Sequence, residues 1–330
     1  MPRLHRLDFR NALHTVRIQG REGTCIFFDS SAVNNSRNST PHVRQFEQWL
    51  GDSCTDCSCL LHAYNVEPNR AAWVLQTTGV PLAAVMLRLG AQYSRYLHAQ
   101  GLLPEHNSPF ARRYESRVLA PEYLPHAVRR VHLSPVLAGL CQRATHYPFS
   151  SAQTYLGGPA LVSVDMSAVY AVLERRGFVG LRGYREFMDL PETPYVARLF
   201  DNGSPLDARI VGGPLFVKQA RDRASHPAVP PTREQLISAV TNLIHMTPAE
   251  ISSATRMGVL ARSLVAWHGL RAGAASLAEI GSWFGVSGAT LGQGIRYHRR
   301  LTPGLFEQLD LSTLEHRSGT RMARESDEGL

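Results

Sequence analysis

Lysine is almost missing from this chain: of 35 Lys and Arg residues, only Lys218 is a lysine. Every other permanent cation is a guanidinium, a planar fork that cannot be deprotonated and that grips carboxylates and phosphates through paired hydrogen bonds. The bias does not select a partner, because a GC-rich coding sequence produces it too. Acidic residues are also short, 27 against those 35. The resulting net charge of +8 favours an anionic partner without choosing between nucleic acid and a membrane surface. Long apolar runs are lacking. None approaches the roughly 20 residues that cross a bilayer, and the N-terminus has no apolar core of the secretory kind. The expectation is a soluble, cytoplasmic protein. Cysteine is scarce and odd in number, five residues, which fits a reducing compartment better than a disulfide framework. Cys54, Cys57 and Cys59 are close enough for a metal clip, but no second Cys pair completes a four-ligand zinc set. Cys57 and Cys59 alternate with Leu61 and Ala63, so they read as small core residues on one face of a strand.

What is present suffices for one large or two ordinary domains: 330 residues, 44% of them hydrophobic. Period-two alternation over Ala12–Gly20 predicts a strand, and the Ser/Asn-rich run from Ser30 to Thr40 predicts a loop. Val43, Phe46, Trp49 and Leu50 are helically spaced from Pro41, with Gly51 as the stop. Leu61 to Gln76 reads as two strands around a Glu67-Pro68-Asn69 turn. A helix follows from Pro81 with Val85, Leu89, Tyr93, Tyr96 and Leu97 as its stripe, then a strand over Arg112–Leu119 and a helix over Glu122–Arg130. This order predicts an α+β fold, a ferredoxin-like antiparallel sheet with helices on one face. Residues 159–226 read as a helical connector, with Tyr170–Leu173 and Tyr184–Phe187 as short amphipathic pieces. Pro227–Pro231 reads as a linker, and the tail from Phe306, with Arg317, Arg321 and Arg324, reads as disordered.

The hairpin, the opening Ile26-Phe27-Phe28-Asp29 and four blocks between Phe110 and Gly157 resemble the REP-associated tyrosine transposases, single-tyrosine members of the HUH nuclease superfamily. The blocks are Pro109-Phe110-Ala111-Arg112-Arg113-Tyr114, Tyr123-Leu124, Val128 to Leu140, and Tyr147 to Ala152 with Tyr155-Leu156-Gly157. The resemblance implies an HUH-type domain over residues 1–158. In that family two histidines, two apart on a strand, hold Mg or Mn. The metal polarises a DNA phosphate, and a tyrosine attacks it to leave a 5′-phosphotyrosine. Here the histidine positions are Arg70 and Ala72, the tyrosine position is Arg130, and an asparagine position near the metal is Ser134. None of the four can take its family role, so no catalytic residue and no metal are expected. Arg70 and Arg130, with Arg112 and Arg113, are instead candidates to hold DNA phosphates, a cutting site turned holding site. Drift on a solvated surface is the plain alternative. An active transposase with displaced residues is the other reading, using Tyr114 or Tyr123 as nucleophile and His62, His126 or His132 as ligands. Tyr123 lies two helical turns before Arg130, although Tyr123 and His132 match family positions with other duties.

The C-terminal third carries three capping boxes, Thr232–Gln235, Thr247–Glu250 and Ser276–Glu279, each predicting a helix start. Leu260, Leu264 and Trp267 mark a further helix, and Gly285 separates Leu277–Phe284 from a helix capped by Ser287. Two short helices around a tight turn predict an all-α helix-turn-helix domain over 227–305. Ser276-Leu277-Ala278-Glu279-Ile280-Gly281-Ser282-Trp283-Phe284-Gly285 resembles the DNA-binding domain of the bacterial replication initiator, of whose recognition signature only Thr290 is kept. Thr290 and Gln293 are candidates for base edges, and Arg296, Arg299 and Arg300 for phosphates. Between Thr232 and Leu301 seven arginines face only Glu234, Glu250 and Glu279. The partners expected are hairpin or single-stranded DNA, duplex DNA and, as a candidate, a second copy of the chain. A protein-interaction module without a DNA role is the remaining class.

Overall fold

The computed structural model describes residues 6–21, 25–28, 41–103, 108–226 and 229–309. The Ser30–Thr40 loop, part of the Pro227–Pro231 linker and the tail with Arg317, Arg321 and Arg324 lie outside them. The described residues form two compact units. One comprises the residues up to Thr55 with Cys59–Thr77 and Leu82–Ser225, and the other comprises Asp56–Ser58, Thr78–Pro81 and the residues from His226 on.

The first unit is built on β1 (Leu13–Gln19), α1 (Pro41–Asp56), β2 (Leu60–Glu67), β3 (Arg70–Gln76), α2 (Leu82–Ala99), β4 (Glu115–Leu119) and α3 (Leu124–Leu137). It continues through α4 (Ser167–Glu174), α5 (Gly180–Asp189), α6 (Pro194–Asn202), β5 (Ile210–Val211) and α7 (Pro214–Ser225). The sheet order is β2-β3-β1-β4-β5. The first four strands pair antiparallel in the ferredoxin-like order, while β5 pairs parallel to β4. The sheet is therefore mixed, not antiparallel throughout.

Both of its faces are covered, which corrects the one-sided expectation. Val16, Ile18, Tyr64, Ala71, Trp73 and Leu75 point to one face, where Phe46 of α1 packs on Trp73 and on Tyr93 of α2. Leu13, Ala63, Val74 and Leu119 point to the other. There they share a core with Leu124, Ala127, Val128 and Val131 of α3, Val169 and Leu173 of α4, Tyr184 and Phe187 of α5, and Leu199 and Phe200 of α6. The stretch read as a connector thus supplies half of a core. The outer edge of β2 is closed by the Tyr147–Ser151 segment: Val66 N–H donates to Phe149 O at 2.9 Å, Tyr147 Oη to Val66 O at 2.8 Å, and Tyr64 N–H to Ser151 Oγ at 2.9 Å. That segment satisfies backbone groups which would otherwise template further strands.

Three boundaries differ from expectation. The strand before α3 starts at Glu115, because Arg112 and Arg113 are exposed and Ala111 N–H already bonds Gln19 O. Cys57 and Cys59 precede β2 rather than alternate within it, and Cys54 is on α1; all three are buried and outside any disulfide. Helix α1 runs through Gly51 to Asp56. A Cβ at Gly51 would lie 2.7 Å from Val162 Cγ1, so this glycine marks a close approach and not a helix end.

The second unit holds α8 (Arg233–Ile244), α9 (Arg256–Ala272), α10 (Leu277–Trp283) and α11 (Gly288–Leu301). Thr232 and Ser276 close full capping boxes, but the Thr247 box opens only a short 3₁₀ turn over Glu250–Ser252. Its Glu250 carboxylate does accept from Thr247 N–H at 2.7 Å. Helix α9 is buried on nearly all sides, its Leu260, Leu264, Val265 and Trp267 packing with Ile280, Leu291 and Ile295.

Gly51→Ala sets helix propensity against overpacking: alanine gains up to about 1 kcal/mol in a helix, whereas an unaccommodated methyl costs about 1–3 kcal/mol. Urea denaturation should show a net loss of stability; a more stable variant would refute the close approach to Val162.

A buried carboxylate and arginine cluster at the hairpin end

Across the Pro68–Asn69 turn, Glu67 and Arg70 stand opposite each other in register. Strand alternation then puts Asn65, Glu67, Arg70 and Ala72 on the face that α3 covers. Arg17 and Gln19 of β1, opposite Ala72 and Arg70, are exposed on the same face. Arg130 and Ser134, four residues apart, share one side of α3. The fold therefore brings Arg70, Ala72 and Ser134 into one neighbourhood, as their spacing suggests.

The hub of that neighbourhood is Glu67, whose side chain keeps only 4% of its exposure. Ser134 Oγ donates to its Oε1 at 2.6 Å, and Asn65 Nδ2 donates to the same oxygen at 3.1 Å. Arg70 Nε pairs with Oε2, and Arg70 Nη2 reaches Ser134 Oγ at 3.3 Å. A carboxylate taken this far out of water needs a cation and several donors, and it has them. A signal for it lies in the sequence: a glutamate on the helix-facing side of the hairpin, three residues before an arginine.

These residues do not suit a divalent ion. One carboxylate is present, three donors already occupy it, and a guanidinium lies where a neutral ligand would have to stand. Among the described residues no group of three or more His, Cys, Asp or Glu side chains is arranged to hold a metal.

Arg130 is also committed. Its Nε and Nη2 donate to the two oxygens of Glu192 at 2.8 and 2.7 Å, and Nη1 donates to Asp201 at 2.8 Å. Its guanidinium stacks 4.9 Å from the Phe200 ring centroid. As a phosphate ligand it would have to leave a bidentate ion pair, a cost that no pattern around residue 130 announces, because both acids come from around α6.

The displaced-residue candidates are engaged as well. His132 is fully buried, with Nδ1 2.6 Å from Tyr184 Oη and Nε2 2.8 Å from Ser151 Oγ, and burial holds its pKa down at about 3. His62 Nδ1 bonds the Asp165 carbonyl at 2.8 Å, and burial lowers its pKa. His126, lowered to about 4 by burial and by the Arg176 charge, lies 3.0 Å from Arg176 Nη1. The Tyr123 phenol is pushed up to about 12 by burial and by its hydrogen bond with Tyr195, which makes it harder to ionise. Tyr114 lies under the Arg6 guanidinium, 3.8 Å from its ring centroid.

Arg112 and Arg113 do not join this cluster. They line a separate hollow with Ile18, Met86 and Leu89, residues of the face covered by α1 and α2.

In the second unit, residues 284–287 connect α10 to α11, with Gly285 at φ 67° and Ser287 Oγ accepting from Thr290 N–H at 3.1 Å. Leu291, Ile295 and His298 of α11 are buried, whereas Thr290, Gln293, Arg296, Tyr297 and Arg300 form an exposed stripe at helical spacing. Gly294 lets α11 lie close on α9, since a Cβ there would be 2.5 Å from Ser263 Oγ. Arg299 is not on the stripe: it stacks 4.0 Å from the Trp267 ring centroid. Arg262 donates to the Ile251 and Ser253 carbonyls, and Arg233 donates to Trp283 O at 3.3 Å. Arg296 reaches the Asp56 carboxylate, which clusters with this unit.

Arg70→Ala should strand the Glu67 charge and cost about 2 kcal/mol, less than the roughly 3–5 kcal/mol of a fully buried pair, since Arg70 keeps 39% side-chain exposure. Adding Glu67→Gln should recover part of the loss; identical denaturation curves for wild type and Arg70→Ala would disprove the dependence. Arg70→His with Ala72→His should create a zinc site beside Glu67, detectable by calorimetry, because both positions face one side of the sheet.

No family model matches the sequence, and no curated protein matches it. Among solved structures, the chain is similar to one described as the REP-associated tyrosine transposase bound to a REP hairpin. The likeness has 14% identity and a TM-score of 0.38, over 51% of this chain and 94% of that one.

Proposed function

We propose that this chain is a DNA-binding protein of REP-associated transposase descent that holds DNA without cutting it. The observation that carries the binding half is the exposed stripe Thr290–Gln293–Arg296–Tyr297–Arg300 on α11, the second helix of a capped helix–turn–helix pair. An amide and a hydroxyl at one end of such a helix suit base edges in a major groove, and guanidinium groups further along suit phosphates. The recognition helix is thus α11, and the second unit is the duplex-binding domain.

The other half rests on the hairpin end. Where the resembled enzymes keep a pair of metal ligands and a nucleophile, this chain has the Glu67–Arg70–Ser134 network and an ion-paired Arg130. None of these groups generates a nucleophile or polarises a phosphate. Arg17, Gln19 and the exposed part of Arg70, with Glu115 opposite Arg17, form a small uncovered patch at the hairpin end of this face, on which a hairpin or single strand can lie.

Fluorescence anisotropy with a labelled duplex and a labelled hairpin should give affinities that fall with salt. Arg300→Ala should reduce the slope of log K against log salt by about one, while Gln293→Ala should change the preference among duplex sequences. Binding insensitive to salt would refute the DNA reading. A covalent protein–DNA adduct formed with Mn²⁺ or Mg²⁺ on a denaturing gel would refute the loss of cleavage.

A further inference from the structure

Within the first unit, a cleft of about 1090 Å³ opens between α6, the 203–209 loop and α7, and neither the hairpin cluster nor α11 contributes to it. Its walls carry three guanidinium groups, Arg198, Arg209 and Arg221, against one carboxylate, Asp207. Asp207 is 1% exposed and accepts from both Arg209, at 2.7 Å, and Arg221, at 3.0 Å. Those arginines hold its pKa well below the usual carboxylate range. One buried charge therefore sets two guanidinium groups in place and leaves the wall cationic.

The geometry is built rather than incidental. Gly203 has φ 77°, and a Cβ there would lie 2.3 Å from Ala208 O, so the loop turns back tightly on itself. Ser204 N–H donates to Ile210 O at 2.6 Å, and Ile210 N–H to Asp207 O at 3.0 Å. Arg221 spends Nε on Asp207 and Nη2 on the Leu206 carbonyl, which leaves Nη1 available, and its side chain is 52% exposed. Arg198 is exposed and makes no ion pair among the described residues. On the same wall Tyr195 is 52% exposed.

We propose that this cleft binds a single-stranded nucleic-acid segment, with a backbone phosphate held by Arg198 and Arg221 and a base stacked on Tyr195. Guanidinium groups match phosphate oxygens in paired hydrogen bonds, and an aromatic face beside them accepts any base. The choice of ligand rests on the nucleic-acid reading above. The cleft adds a second contact surface, independent of α11.

The full-length chain titrated into a fluorescein-labelled ten-nucleotide oligothymidylate at low salt tests this. Wild type should bind, and Tyr195→Ala and Arg198→Ala should each weaken binding at least about fivefold. Tyr195→Phe, which keeps the ring, should leave it unchanged. Absence of binding, or wild-type affinity in both cleft variants, overturns the proposal. Competition by dTMP at the same concentration as unlabelled oligothymidylate overturns the assignment to a strand. Duplex titrations of the same preparations separate the two readings: duplex binding without oligothymidylate binding refutes the cleft alone, and loss of both refutes DNA binding altogether.

Discussion

A single buried carboxylate organises the centre of the first unit. Glu67 ends β2 at the hairpin turn, faces α3 and is out of contact with water. Its charge ties its own strand, through Asn65, to β3 through Arg70 and to the sequence-distant α3 through Ser134. Removing it from water is costly, and the cost is offset only while all three donors stay in place. The same arrangement fixes what the hairpin can do. Arg70 pairs with the carboxylate from the facing strand, where a pair of imidazoles on the same pleats could share a metal with it.

Arginine here serves structure as often as it serves the surface. Arg117 donates to the carbonyls of Ala208, Phe200 and Asp201, and Arg129 donates to those of Met188 and Leu190. These bonds bind the C-terminal ends of α5 and α6, and residues beyond them, to α3 and β4. Arg262 does the same for the 3₁₀ turn before α9, and Arg299 lies flat on Trp267. A guanidinium can do this because it presents five donors in one plane and is only weakly hydrated. The formal charge of +8 therefore overstates the cationic surface.

Residues whose spacing resembles a nuclease motif act here as scaffold. Tyr147, Phe149 and Ser151 close the edge of β2, Tyr155 Oη donates to His62 O at 2.8 Å, and His132 joins Ser151 to Tyr184. These contacts keep the sheet and α3 in register. They depend on backbone geometry and burial rather than on any reacting group.

By itself the sequence determined the local elements: the Pro68–Asn69 hairpin, the stripe of α2, the capped starts of α8, α10 and α11, and the common face of Arg70 and Ala72. Those follow from periodicities of two and 3.6 residues and from caps, all of which act within a few residues. Only the tertiary structure decided the rest. Gly51 became a close approach instead of a helix stop, and Gly294 lets α11 lie close on α9, since what they meet is Val162 and Ser263, far along the chain. Residues 159–226 became core, and β5 made the sheet mixed. Glu192 and Asp201 took Arg130, Trp267 took Arg299, and Asp207 gathered Arg209 and Arg221. Which acid or ring a given arginine meets depends on long-range packing, and charge carries no periodicity from which that partner could be read.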